Sequence, residues 1–208
     1  MSATARRTSN RRRAATRRRH ALSVLSAGVL ILVAVVAIKP LFNQAVTELT
    51  LPLRYQDIIR QQANAKHLDP ALVAAVIYAE TKFDPRPSPA GAQGLMQILP
   101  QTAEFLAHRS GATTFTTADL ATPQVNIAYG SYYLRYLLDQ YGGSTTLALA
   151  AYNGGEANVS HWRADARAQG HELTIGDIPF AETRAYVQRV LQKQSAYRNA
   201  YPAELGYQ

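Results

Sequence analysis

The sequence predicts a mostly helical domain preceded by one N-terminal transmembrane helix, and three observations carry that prediction. From Tyr55 onward apolar residues recur at i, i+3 and i+4, the spacing of a helix with one buried face, and no stretch alternates with period two for long. Helix punctuation such as Asp69-Pro70 and Gly142-Gly143 falls where those periodic stretches start and stop. Ala21 to Ile38 is an eighteen-residue run without a charge, directly after a block of arginines. No internal repeat is visible.

The N-terminus explains the charge. Residues 1–20 hold eight arginines (Arg6, Arg7, Arg11, Arg12, Arg13, Arg17, Arg18 and Arg19) and no acid. Without them the 22 Lys and Arg fall to 14, the number of Asp and Glu, so the net charge of +8 resides in this tail. A nucleic-acid domain carries its charge on the folded body, where phosphates dock. The expectation is therefore no nucleic-acid partner. A DNA-binding membrane protein is the distant alternative, which salt-sensitive DNA binding lost on deleting residues 1–20 would reveal. Basic flanks stay cytoplasmic, so residues 1–20 read as a cytoplasmic tail and 21–38 as a single-pass anchor in the cell membrane. Everything from about Lys39 is then exported. A cleaved signal peptide is the rival, since Val35 and Ala37 suit the small-residue rule; its apolar core of roughly 7–15 residues is shorter than this one, which favours the anchor. The absence of cysteine excludes disulfides, thiolate metal sites, cysteine nucleophiles and a lipidated cysteine anchor.

The elements follow in order. Residues 39–54, bracketed by Pro40 and Pro52, read as a connector, 55–200 as the folded domain and 201–208 as a tail. Tyr55, Ile58, Ile59 and Ala63 mark a first amphipathic helix. Asp69 and Pro70 are N-cap and N1 of a second, running to about Thr81 and stopped by Asp84-Pro85. Residues 84–94, with three prolines and two glycines, form a turn-rich loop. A short helix is expected near Leu95 and another from Pro100 through Phe105. Residues 110–124 are a polar connection. Val125–Tyr141 is a long helix ended by Gly142-Gly143, and Leu147–Tyr152 a short one ended by Asn153-Gly154-Gly155. A Gly-, His- and Asp-rich loop follows, holding Trp162, before a last helix over Ala181–Arg198.

The second helix gives the first chemical clue. Val73, Val76 and Ile77 occupy i, i+3 and i+4, and Glu80 sits at i+7 of the same stripe. A carboxyl on a core-seeking face must pair, neutralise or face a cleft. Desolvation raises its pKa, keeping it protonated near neutral pH and able to act as an acid. A glutamate at a fraying helix end can equally turn outward or bridge to Lys82 or Arg86, and periodicity leaves both open. His67, His108, His161 and His171 share no metal spacing and His20 lies in the tail, so no metal and no cofactor is expected.

The words around Glu80 narrow the choice. The run Ala79-Glu80-Thr81-Lys82-Phe83-Asp84-Pro85, then Ser88-Pro89-Ala90-Gly91-Ala92, then Gly94-Leu95-Met96-Gln97-Ile98, resembles the catalytic core of the soluble lytic transglycosylase domain of glycoside hydrolase family 23, to which goose-type lysozyme is related. Further blocks at Asn126-Ile127 with Gly130 and Tyr133-Leu134, at Ala150-Ala151-Tyr152-Asn153, and at Glu182-Thr183-Arg184 with Tyr186-Val187 keep the family's order over roughly residues 55–198. Any one block is weak; together they are specific. The resemblance implies a compact lysozyme-like helical domain on the cell-wall side of the membrane, with peptidoglycan glycan strands as its partner.

It also implies roles. Glu80 would be the single acid/base, since the blocks offer no obvious second carboxylate: Asp84 reads as a turn residue, and Glu182 starts a helix as a supporting group. Ser88, Met96, Gln97, Tyr152 and Asn153 would contact substrate, with Tyr152 orienting the acid or the acetamido group. Thr81, Gly91, Gly94, Glu182 and Tyr186 would support them. Thr81 stands where the family usually has serine; it keeps the hydroxyl on a stiffer side chain. Met96 is as readily core as contact. Most of the run Tyr129, Tyr132, Tyr133, Tyr136 and Tyr141 reads as core or rim of one helix. The implied reaction cleaves the N-acetylmuramic acid–N-acetylglucosamine bond without water and leaves a 1,6-anhydro end. The alternatives are a muramidase, which admits water, and a catalytically silent peptidoglycan-binding scaffold.

Overall fold

A computed structural model of the chain describes residues 51–85 and 88–207, together with 36, 38, 39, 46 and 48–50. The chain divides into two compact units, Met1–Thr50 and Leu51–Gln208. In the first, the described residues are helical and exposed, and the Thr50 hydroxyl donates to the Val46 carbonyl at 2.8 Å. The arginine tail and nearly all of the expected anchor at 21–38 lie outside the described residues. Among those described, no helix is long and apolar enough to cross a membrane.

The second unit is helical, as expected. Helix α1 spans Gln56–Ala65, α2 Pro70–Thr81, α3 Pro100–Ser110, α4 Pro123–Gln140, α5 Thr145–Gly154, α6 Glu156–Ala168 and α7 Ala181–Ala200, with 3-10 turns at Thr117–Ala121 and Ile175–Asp177. The elements pack around α2 and α5: α2 lies mainly against α7, and α5 meets α4, α6 and α7. Helix α2 is apolar all round, with every residue from Ala71 to Ile77 buried, as befits a central helix rather than an amphipathic one.

The ends of α2 set the site. At its start the Asp69 carboxylate accepts from the Ala71 amide at 3.0 Å, and Pro70 supplies a preset φ. Asp69 also accepts from Gln194, Arg198 and Tyr207, so the helix start is held by α7 and by residues beyond it. Residues 201–207 are packed rather than trailing: Leu205 is buried, and the Tyr201 hydroxyl donates to the Leu51 carbonyl at 2.8 Å. At its far end α2 stops at Thr81, three residues before Asp84 of the proline signal, because Lys82 and Phe83 both turn left-handed, with φ 51° and 63°. That reversal drops Phe83 into the core against Tyr197.

Two expectations fail. The helix expected near Leu95 is a hairpin turn: Gln93 and Ile98 form an antiparallel bridge, and Gly94 and Gln97 take φ 72° and 48°. A second departure concerns the expected loop after Gly155, which begins with helix α6. Its Val159, Trp162 and Ala166 are buried at i, i+3 and i+7, a stripe that the surrounding polar residues obscured. Trp162 is consequently core, edge-on to Phe180 at 5.0 Å.

Candidate active site

The hairpin turn Gln93–Ile98 is the hub of the site, and buried Asn126 on α4 holds it. The Asn126 side chain accepts from the Met96 amide at 2.8 Å and donates to the carbonyls of Gln93 at 2.9 Å and Leu120 at 3.0 Å. Every polar valence of that amide facing the loop is therefore used. Gly94 is required on two counts: its φ is positive, and a Cβ there would stand 2.1 Å from the Asn126 nitrogen. Gly91 has the positive φ but open space around it, so it serves the turn and not a close approach.

Two clefts border this turn. One, of ≈ 350 Å³, is lined by Gln97, Thr102, Tyr133, Tyr152, Asn153 and Gly155 among others. The other, of ≈ 510 Å³, is lined by Ser88, Gly91, Gln93 and Gly94 among others. The fold thus brings Gln97, Tyr152 and Asn153 together as expected, but separates Ser88 from them. The Ser88 hydroxyl accepts from the Ala90 amide at 3.0 Å, a local turn bond.

Glu80 lines neither cleft. It sits partly buried in the last turn of α2, and its neighbour Thr81 ties that turn to the hairpin by donating to the Leu95 carbonyl at 2.8 Å. Burial pushes the Glu80 carboxyl from 4.5 up to about 7. Opposing this, the Tyr186 hydroxyl and the Arg189 charge favour the carboxylate, while Glu182 adds like-charge repulsion. Glu182, Tyr186 and Arg189 stand at i, i+4 and i+7 of α7, one face turned to Glu80. The Tyr186 hydroxyl is buried and leans toward Glu80 without reaching full hydrogen-bond geometry, and among the described residues it has no other partner. Burial, and next the Glu80 charge, hold the phenols of Tyr152 and Tyr186 far above their usual range, so both remain neutral donors.

One expected role needs correction, and the Tyr152 hydroxyl has a partner of its own. Met96 does not wall the groove: its side chain is fully buried, and a Cβ on Gly130 would lie 2.4 Å from its sulfur. Its backbone is what the site uses. Tyr152 donates to the Met96 carbonyl at 2.8 Å, and so braces the hairpin instead of bonding directly to Glu80. Arg189 escaped the sequence reading, although its spacing from Glu182 and Tyr186 was there to find. Tyr133, expected as core or rim of its helix, lies in the first cleft with its ring 5.3 Å from that of Tyr152.

An acid that holds its proton near neutral pH, interacting with two neutral phenols of which Tyr152 lines a cleft, is equipped to protonate a leaving oxygen. The chain is similar to known proteins. The chain is 33% identical over 150 residues to the soluble lytic murein transglycosylase of Escherichia coli, covering 71% of this chain and 23% of that one. It is 29% identical over 167 residues to the membrane-bound lytic murein transglycosylase C of Edwardsiella ictaluri, covering 70% and 46%. The crystal structure of an inactive mutant of the lytic transglycosylase Slt from Pseudomonas aeruginosa superposes with a TM-score of 0.69 and 32% identity, over 76% of this chain and 26% of that one. The chain therefore spans about a quarter to a half of these relatives. The model of the transglycosylase SLT domain matches residues 57–175, more than half of the sequence, and the chain belongs to that family.

Proposed function

We propose that this protein is a membrane-anchored lytic transglycosylase that cleaves the bond between N-acetylmuramic acid and N-acetylglucosamine in peptidoglycan. The observation that carries the reading is the Glu80 carboxyl, held by burial at about 7 and interacting with Tyr152, which lines the cleft with Gln97 and Asn153. Protonated Glu80 donates to the glycosidic oxygen, and the C1–O bond breaks as the leaving sugar departs with that proton. The 2-acetamido group relieves the charge at C1. The Glu80 carboxylate then takes the proton of the C6 hydroxyl, whose oxygen bonds to C1 and closes the 1,6-anhydro ring. Glu80 ends protonated, ready for the next cycle, and no water is consumed.

The other residues serve this step. Tyr186 and Arg189 favour the carboxylate between the two proton transfers, and Glu182 favours the acid before them. Gln97 and Asn153 offer amides to the sugar, and Ser88 a contact further along the strand. Thr81, Gly91 and Gly94 keep the hairpin in place. In relatives named as lytic murein transglycosylases, murein is the material acted on, which supports the choice of substrate. The eight arginines before the uncharged run at 21–38 support anchoring with the catalytic unit on the cell-wall side. Retention of the chain in membranes after an alkaline wash, lost on deleting residues 1–38, tests that part.

The chemistry is tested by solubilisation of purified peptidoglycan by wild type, Glu80→Gln and Glu182→Gln. One acid/base predicts that Glu80→Gln removes activity and that Glu182→Gln keeps most of it. Equal loss in both would indicate a two-carboxylate mechanism. Binding without turnover in the wild type would indicate a silent scaffold.

A further inference from the structure

From Tyr133 in the cleft wall an aromatic series runs on. Helix α3 enters the cleft wall at Leu99 and Thr102, and one turn further on the same face come Phe105 and then Arg109. Across from them α4 presents Tyr133 and, one turn on, Tyr136. The rings form a continuous series: Tyr152 to Tyr133 at 5.3 Å, Tyr133 to Tyr136 at 6.2 Å and nearly parallel, and Tyr136 to Phe105 at 5.4 Å and edge-on. Phe105 is 44% exposed. The Arg109 guanidinium lies 5.2 Å over the Tyr136 ring and, among the described residues, pairs with no carboxylate. Glu156 accepts from the Tyr136 hydroxyl at 3.2 Å.

A lone exposed phenylalanine needs no explanation. This one sits at the end of an aromatic series that begins in the cleft, and a cation stands beside it. Aromatic faces take the C–H face of a pyranose, and an unpaired guanidinium takes a carboxylate. We propose that Phe105 and Arg109 form a distal subsite for the glycan strand leaving the cleft, Phe105 stacking on a sugar ring and Arg109 pairing with the carboxylate of that strand's stem peptide. Tyr136 is the positioning residue beneath both. This inference rests on the peptidoglycan reading above. It predicts an enzyme sensitive to strand length and to stem peptides.

The test uses the full chain carrying Glu80→Gln, so that strands are bound and not consumed. Binding is measured to soluble glycan strands with stem peptides and to strands stripped of them, for this protein and with Phe105→Ala, Arg109→Ala or Arg109→Lys added. Melting curves confirm that the exposed replacements leave the fold intact. Phe105→Ala is expected to weaken both strand types about three- to tenfold. Arg109→Ala is expected to weaken only stem-bearing strands, about two- to fivefold, with Arg109→Lys restoring part of the loss. Unchanged binding in Phe105→Ala and Arg109→Ala overturns the subsite, and equal loss on both strand types in Arg109→Ala overturns the stem-peptide assignment. If the parent protein binds neither strand, the peptidoglycan reading itself fails and takes the subsite with it.

Discussion

Replacing Glu80 by glutamine should stabilise the protein, and only where the glutamate would be ionised. Folding raises this carboxyl from 4.5 to about 7 through burial, so the folded protein holds the proton more tightly than the unfolded chain does. Below about 4.5 the group is protonated in both states and carries no penalty. As pH rises toward and past 7, the unfolded chain ionises freely while the folded one must ionise in a partly dry site, and stability is lost. The gap between 4.5 and about 7, at about 1.4 kcal/mol per pH unit, is about 3 kcal/mol. Water reaches the partly exposed carboxyl, so about 1–3 kcal/mol is the expected size. Glutamine has nearly the same volume and no such charge. In a unit this large that is a Tm higher by about 3–10 °C for Glu80→Gln at pH 8. The assay is thermal unfolding of both proteins from pH 4 to pH 9. The curves should coincide in acid and diverge through neutrality; a constant gap at every pH would refute the idea that Glu80 is held protonated by burial.

Further outcomes follow from the elements that hold the site. Asn126→Ala leaves the Met96 amide and the Leu120 carbonyl without their side-chain partner in the interior, while the Gln93 carbonyl keeps its bond from the Ile98 amide, so denaturant titration should show a loss of about 2–3 kcal/mol, and turnover should fall as Gln97 loses its support. Gly94→Ala should be far worse than Gly91→Ala: the first forces a methyl onto Asn126, while the second adds only left-handed strain of about 1 kcal/mol, a difference visible in Tm and expression. Burial alone would raise the Asp69 carboxyl, but bonds from Tyr207, Gln194 and the Ala71 amide with the Arg198 charge hold it below its usual value. Asp69→Ala should therefore cost about 2 kcal/mol or more at pH 7, and the deficit should shrink as pH falls through the lowered pKa, which acid unfolding curves would record.

Much of this was legible in the sequence because it is local. Asp69-Pro70 states a helix start in its own chemistry, and the i, i+3, i+4 pattern ending in Glu80 placed a carboxyl at the end of a core helix. What stayed hidden depends on partners far along the chain. Gly94–Gln97 reads as a helix start until Asn126, thirty residues away from Met96, is seen taking its backbone hydrogen bonds. Met96 reads equally as wall or core, and the missing Cβ of Gly130 decides for core. Tyr152 belongs to a recognisable block, yet its bond to a loop carbonyl follows only from how α5 meets the hairpin. Helix α6 was concealed differently: Val159, Trp162 and Ala166 carry the period, but the polar residues between them and Gly155 before them look like loop.

The most direct test of the central claim is where the new bond to C1 comes from. Peptidoglycan digested by the full chain in water labelled with heavy oxygen should yield 1,6-anhydromuramoyl ends free of label, with none formed by Glu80→Gln. Reducing ends carrying the heavy oxygen would contradict the account, because they would show water, and not the sugar's own C6 hydroxyl, completing the reaction.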